Sequence, residues 1–190
     1  AESSFADNSP TTAPASRRSF IKHSTLAAAG AAVASNFPFV LTSHAAPDDP
    51  IRIGVIGCGG RGSGAAVDAL GAETTVIYPS SGYHTEDVKA GAKLANQNIS
   101  VVALADVFPD RIERCRGNLG KLGIMVPNEN CFTGFDAYRK LLAIPEVNYV
   151  ILATPPHFRP AHLQAAIAAG KHCFIEKPCA VDAPGVRLVM

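Results

Sequence analysis

Short, nearly continuous apolar runs alternate with amphipathic stretches along the chain from Ile51 onward. The clearest runs are IRIGVI (51–56), ISVVALA (99–105) and VNYVILAT (147–154). Such runs are typical of parallel strands that are buried on both faces, because an exposed face would require alternation with polar residues. We therefore predict an α/β fold with a doubly wound parallel sheet, right-handed crossovers and helices on both faces.

The stretches between these runs predict helices. Apolar residues spaced three or four positions apart form stripes, and prolines and glycines mark where helices begin and end. The predicted helices cover 62–70, a stretch opened by Pro109, the second half of 131–142, and 160–169. HCFIEKP (172–178) supplies one more predicted strand.

The sequence GCGGRG stands between the first predicted strand and the first predicted helix, and its glycines fit the pattern G-x-G-x-x-G. Each of the three motif glycines is required for a different structural reason: the first for a tight turn, the second for a close approach of the backbone to phosphate, and the third for a tight helix–strand contact. The start of the helix adds N–H groups and a positive dipole end. We predict a sheet of Rossmann type, with a flexible turn as the alternative interpretation. The residues predicted to bind the dinucleotide here are Gly57, Gly59, Gly60, Arg61 and Gly62.

An acidic residue that grips the adenosine ribose normally follows such glycines by about 20 positions. Here the first acid at a predicted strand end is Asp106, and we interpret 71–98 as an insertion at the edge of the cofactor site, with a short helical pattern from about Thr85. TTVIY (74–78) as the second strand is the poorer interpretation, because no carboxylate ends it. A carboxylate at position 106 accepts hydrogen bonds from the ribose hydroxyls and repels a 2′-phosphate, so NAD is favoured over NADP. Arg111 would weaken this preference. A turn or cap aspartate is the alternative role.

Composition and charge narrow the class of protein only slightly. The 190 residues suffice for one domain and a tail, 47% are hydrophobic, and the net charge of +1 gives no reason to expect a nucleic-acid partner. Five cysteines show no C-x-x-C and no metal-like spacing, so we predict no metal site and interpret them as small buried residues. Pairing of Cys173 with Cys179 stays open.

The first residues resemble a bacterial twin-arginine export signal. Arg17, Arg18, Phe20 and Lys22 match its pattern, and an Ala-rich apolar run follows up to an A-x-A-like cleavage site that ends at Ala45. We therefore expect residues 1–45 to be a signal peptide, 46–50 a linker, and the mature protein to be periplasmic. Asn36 and Pro38 interrupt the apolar run, so we expect no stable membrane insertion.

GCGGRG, ALADVFPDR, ILATPP and AGKHCFIEKP together resemble the glucose–fructose oxidoreductase / inositol dehydrogenase / MocA-like family. The resemblance covers 51–181, the family's N-terminal nucleotide-binding domain. It implies that a C-terminal α+β domain, which covers the nicotinamide, binds substrate and mediates homo-oligomer formation, would follow Met190. Residues 182–190 would begin that truncated region, so we expect the chain to be a fragment that is inactive by itself.

The resemblance also implies roles for residues near the ends of the last two strands. Thr154, Pro155 and His157 would line the dinucleotide, Lys177 of the EKP motif would sit at the reacting centre, and Glu176 would lie on the cofactor side. The chemistry of an ammonium group agrees, since it can hydrogen-bond the hydroxyl being oxidised and a partly desolvated lysine has a lowered pKa. The alternative interpretation of Lys177 is an exposed lysine after a strand, without a catalytic role. For the remaining histidines we expect packing or surface roles: His162 and His172.

These predictions converge on one function with two alternatives. We expect the cofactor domain of an exported NAD-dependent dehydrogenase that acts on a sugar, cyclitol or similar polyhydroxy substrate by hydride transfer. The first alternative is an NAD-dependent glycoside hydrolase of the same family, which oxidises, eliminates and reduces again. The second is a truncated nucleotide-binding fragment without catalysis.

Overall fold

The structure is a computed structural model that describes residues 49–77 and 85–190. The predicted export signal, and residues 46–48 of the predicted linker, lie outside this part of the chain. Within the described ranges, no helix has both the length and the apolar character needed to cross a membrane.

Strands and helices alternate along the described chain. Their bounds are β1 (Ile51–Ile56), α1 (Gly60–Ala69), β2 (Thr74–Ile77), β3 (Thr85–Val88), β4 (Ile99–Asp106), α2 (Pro109–Lys121), a 3-10 turn (Asn128–Asn130), β5 (Cys131–Thr133), α3 (Ala137–Leu142), β6 (Tyr149–Leu152), α4 (Arg159–Ala168), β7 (His172–Ile175) and α5 (Ala183–Val189).

Five of these strands form one parallel sheet in the order β5-β4-β1-β6-β7. The chain first winds outward from β1 through β4 to β5, and then returns to the other side of β1 to add β6 and β7. The order therefore reverses at β1, and ligands of such sheets bind in the crevice outside the carboxyl ends of the strands at this reversal. The predicted doubly wound fold of Rossmann type is confirmed.

Helices cover both faces of the sheet, which explains the apolar runs of the strands. On one face, residues of β1 and β4 pack against α1 and α2: Ile53, Val55, Val101 and Leu104 against Ala66, Leu70, Ile112 and Leu119. On the other face, residues of β1, β4 and β6 pack against α3 and α4: Ile56, Ala103, Ala105, Val150 and Leu152 against Ala137, Leu141 and Ala166. Successive side chains along each strand point to opposite faces, so both cores draw on the same strands.

The segment between α1 and β4 contains a small ribbon of its own. β2 and β3 pair antiparallel and do not join the main sheet, so TTVIY is not its second strand. The short helical pattern expected from about Thr85 is wrong, because this segment is the strand β3. Thr74 pairs with Val88, and Val76 with Glu86, so cross-strand partners outweigh the local helical pattern.

Candidate functional site

Two glycines allow the turn between β1 and α1 to pack tightly. Gly57 has φ +96°, and a Cβ there would lie 2.7 Å from the backbone of Ala153 and Thr154 in the loop after β6. A Cβ on Gly62 would lie 1.8 Å from the carbonyl oxygen of Gly57. Because any side chain at either position would collide with backbone, the first and third glycines of the motif fix the shape of the turn.

The middle glycine leaves the turn open. The nearest atom to a Cβ built on Gly59 is Nη1 of Arg111, at 3.9 Å. Gly59 is also the N-cap of α1, which has no side-chain cap, and its carbonyl accepts the first helical hydrogen bond from Ser63. The first N–H groups of a helix have no partner within it, so this open helix start fits the diphosphate of a dinucleotide.

Asp106 joins this turn from the end of the neighbouring strand. Its Oδ2 accepts a hydrogen bond of 2.7 Å from the backbone N–H of Cys58, and its Oδ1 accepts one of 3.0 Å from the N–H of Phe108. The bond to Phe108 is the local turn bond of the alternative interpretation, and the bond to Cys58 is a long-range brace. A carboxylate oxygen can accept more than one hydrogen bond, so the braced group retains acceptor capacity for ribose hydroxyls.

A cavity of about 310 Å³ opens between the carboxyl ends of β4, β1 and β6. Five of the predicted cofactor residues line it: Gly57, Gly59, Asp106, Thr154 and Pro155. Much of the remaining wall is aromatic and cationic, from Phe108, Arg111, Phe135, Tyr138 and Phe158. The guanidinium of Arg111 lies 4.8 Å from the ring centre of Phe108. Apolar walls with a few convergent polar groups are typical of cofactor sites.

His162 contributes to this cavity although the sequence indicated a packing or surface role. Its Nδ1 lies 3.1 Å from Oγ1 of Thr154, and its ring lies 4.3 Å from that of Tyr138, centre to centre. Burial lowers the pKa of His162 from 6.5 to about 4, so the imidazole is neutral at neutral pH. His157, by contrast, is exposed, contacts the edge of the Phe158 ring, and does not line the cavity.

A buried arginine joins the loops after β6 and β7. Nε of Arg159 donates to the carbonyl of Thr154 at 2.6 Å, and Nη1 donates to the carbonyls of Glu176 and Pro178, both at 2.6 Å. These three bonds fix the backbone of the EKP segment against the segment that bears Thr154. No pattern in the sequence indicates this role, because Arg159 looks like an ordinary first residue of an exposed helix.

Arg61 and the EKP motif lie beside the cavity and do not line it. The terminal nitrogens of Arg61 donate to two buried carboxylates, Glu86 of β3 and Glu176, so the structure directs this predicted phosphate contact toward acidic side chains. Lys177 is exposed in the loop after β7, and its bond to Pro178 is cis. The structure therefore groups Lys177 with Glu176 and Arg61, next to the glycine turn.

The cysteines are thiols in this structure. All five are free, so the bridge between Cys173 and Cys179 is not formed. Cys58 and Cys115 are both buried in the core beneath the glycine turn, as expected for small apolar residues.

The fold and the cavity at its strand reversal define a dinucleotide-binding domain of the doubly wound class. A family model described as "Oxidoreductase family, NAD-binding Rossmann fold" matches residues 51–187. The chain belongs to this family, the Gfo/Idh/MocA oxidoreductases. The prediction of NAD as the cofactor agrees with the family, whose model is described as NAD-binding.

Curated relatives are of two kinds. The chain is 29% identical over 140 residues to an inositol 2-dehydrogenase of Agrobacterium fabrum, a match that covers 74% of the chain and 32% of the relative. It is 27% identical over 169 residues to a "Glycosyl hydrolase family 109 protein" of Solibacter usitatus, covering 87% of the chain and 33% of the relative. The chain thus spans about a third of the length of these relatives.

Solved structures share the fold. Scyllo-inositol dehydrogenase of Lactobacillus casei, with bound NAD(H) and scyllo-inositol, matches with a TM-score of 0.50 at 20% identity, over 73% of this chain and 31% of that chain. Myo-inositol dehydrogenase of the same organism, with NAD(H) and myo-inositol, matches with a TM-score of 0.50 at 23% identity. This match covers 74% of this chain and 32% of that chain.

Replacement of Asp106 by Ala should weaken NAD binding by about 1–3 kcal/mol, because the ribose hydroxyls lose their acceptor and the Cys58 N–H loses its brace. Isothermal titration of the chain with NAD measures the change. Asp110→Ala, an exposed acid in the first turn of α2, is the matched control and should leave the affinity unchanged. An unaltered affinity in the Asp106 variant would show that the ribose is held by another group.

Acid should destabilise the folded chain through His162. The unfolded chain takes up this proton below about pH 6.5, whereas the folded chain does so only near pH 4. The contribution of His162 to the free energy of unfolding is fully present above pH 6.5. It is lost as the pH falls toward 4, at up to about 1.4 kcal/mol per pH unit. Urea unfolding across this window should show that the wild type loses more stability on acidification than His162→Gln. Parallel pH curves for the two proteins would contradict this assignment.

Proposed function

We propose that this chain is the cofactor domain of an exported NAD-dependent dehydrogenase that oxidises a polyhydroxy compound by hydride transfer. The observation that carries the proposal is the bond between Asp106 and the backbone of Cys58. It places a carboxylate suited to a ribose at the edge of an open helix start suited to a diphosphate. One ligand with both groups, a dinucleotide, satisfies both features at once.

The residues of the site fit NAD and divide the work. Gly59 and the first turn of α1 would hold the diphosphate, and Asp106 would hold the adenosine ribose. Thr154 and Pro155 would form the opposite wall of the cofactor cavity. When bound, NAD supplies a hydride acceptor. The neutral amine form of Lys177 would accept a hydrogen bond from the substrate hydroxyl and take its proton as the carbonyl forms. Arg159 keeps the Lys177 loop attached to the cofactor wall.

The substrate class is proposed from relatives and from chemistry. Both inositol dehydrogenases with bound inositol share this fold, and inositol 2-dehydrogenase is among the curated relatives. A cyclitol or sugar presents several secondary hydroxyls, each of which can give its proton to a basic side chain as the carbon is oxidised. The rest of the substrate site, and any homo-oligomer contact, would come from a further domain.

A glycoside hydrolase is the second candidate. Curated relatives from Streptomyces coelicolor, Solibacter usitatus and Porphyromonas gingivalis each carry the name "Glycosyl hydrolase family 109 protein". Transient oxidation of a sugar, elimination of the aglycone and reduction of the product would need the same cofactor and the same lysine. The two candidates therefore differ in net redox change and share the domain described here.

Export by the twin-arginine route is part of the proposal. Arg17, Arg18, Phe20 and Lys22 support it, because adjacent arginines before an Ala-rich apolar run are the pattern that this route reads. The route carries folded proteins, which suits a domain that must bind its dinucleotide before it leaves the cytoplasm. A periplasmic location follows from the same residues.

The full-length protein separates the two candidates when it is incubated with NAD and either polyols or aryl glycosides. A dehydrogenase accumulates NADH with a polyol such as myo- or scyllo-inositol, whereas a hydrolase releases the aglycone without NADH. Lys177→Ala should lower kcat about 10²- to 10⁴-fold in either case and leave NAD binding nearly unchanged, because the lysine acts on the substrate proton.

Lys171→Ala is the matched control for the lysine. Lys171 lies just before β7, at the opposite end of that strand, and its ammonium donates to the carbonyl of Ile144. It should leave kcat unchanged. If the protein binds NAD but forms neither NADH nor free aglycone, both candidates are contradicted. The chain would then be a nucleotide-binding domain without this chemistry.

A further inference from the structure

Arg61 lies between two buried carboxylates that come from distant parts of the chain. Nη1 donates to Oε1 of Glu86 in β3, and Nη2 donates to Oε1 of Glu176 after β7. The side chains of both glutamates are only 6% exposed, whereas that of Arg61 is 49% exposed. The guanidinium therefore links the β2–β3 ribbon to the EKP motif across the start of α1.

Helix α1 is shaped to admit Glu86. A Cβ on Gly64 would lie 1.9 Å from Oε2 and 2.6 Å from Cδ of Glu86. Gly64 itself is buried, so the carboxylate occupies a notch in the helix surface that only a glycine provides. Such a fit distinguishes this contact from the exposed pair of Glu73 and Lys89 elsewhere on the same ribbon.

The linkage depends on all three charges. The hydrogen bond to Glu176, followed by attraction to both carboxylates, raises the pKa of Arg61 against the opposing effect of burial. A buried charge that loses its partner is strongly destabilised, whereas an exposed pair contributes little. Loss of the Glu86 carboxylate would therefore release one side of the Arg61 fork and leave the carboxylate of Glu176 held by a mobile partner.

The segment of Glu176 is held in two ways. Its backbone is fixed by hydrogen bonds. The N–H of Glu176 donates to the carbonyl oxygen of Leu152 at 3.0 Å, and Arg159 donates to the carbonyl oxygens of Glu176 and Pro178. Its side chain accepts a hydrogen bond from Arg61 and also attracts the guanidinium of Arg159. The Arg61 contact thus helps to hold the side chain of the residue that directly precedes Lys177.

We infer that Glu86 is a positioning residue that acts through Arg61 on the Glu176–Lys177 segment. The β2–β3 ribbon thereby belongs to the machinery that aims the lysine, although it lies outside the main sheet. The importance of that aim for the reaction rests on the proposed function. The mechanical linkage itself does not, because it is a property of the chain without cofactor or substrate.

Hydrogen exchange followed by mass spectrometry on the full-length protein without cofactor tests the linkage. Glu86→Gln keeps the shape of the side chain and removes its charge, and should speed exchange of the Glu176 amide, which donates to Leu152, about tenfold as read from the peptide 172–178. Gly64→Ala should have the same effect by pushing the carboxylate away without altering any charge, and it also serves if the first variant does not fold. Glu73→Gln, on the same ribbon, is the matched control and should leave this peptide unchanged.

Three outcomes are informative. Faster exchange of the Glu176 amide in the peptide 172–178, in the Glu86 and Gly64 variants alone, supports the inference. Faster exchange confined to the ribbon and α1 would show that Glu86 merely docks the ribbon, and an equal effect of Glu73→Gln would show a general loosening; either result overturns it. NAD titration of the same proteins separates the two claims, since absence of binding in the wild type contradicts the proposed function and leaves the exchange result standing.

Discussion

The hydrogen bond from the backbone of Cys58 to Asp106 is the contact on which the site depends. It joins the turn after β1 to the end of β4, and both groups are buried. Parallel pairing places Ile56 beside Ala105, so the ends of the two strands arrive at the same edge of the sheet. The carboxylate then fixes the turn from one side while the glycines let it pack against the loop after β6 from the other.

This constraint explains how the chain tolerates a long detour between the glycines and their acidic partner. The distance along the sequence is irrelevant once β1 and β4 pair, because register and not sequence spacing brings the groups together. The β2–β3 ribbon leaves the main sheet intact and packs against the outer side of α1. Its contact with Arg61 ties it to the EKP motif, which lies beside the cavity.

The strands and the glycine turn could be predicted from the sequence because their signals are local. Continuous apolar runs need cover on both faces, and the glycines form a short motif within which a Cβ on Gly62 would collide with the backbone of Gly57. Asp106 could be found because it ends a strong strand. The contacts of Arg159, His162 and Glu86 could not be predicted, since each depends on a partner in another loop or helix. The strand β3 was mistaken for a helix for the same reason: its partner strand decides its conformation.

The most direct test of the account is to follow backbone amide signals by nuclear magnetic resonance while the isotope-labelled chain is titrated with NAD. The account predicts that the largest shifts fall on the amides of Gly59, Gly60 and Arg61, with a second group at Cys58 and Phe108, whose N–H groups bind Asp106. Saturable binding that leaves these amides unmoved and shifts another part of the sheet would contradict it.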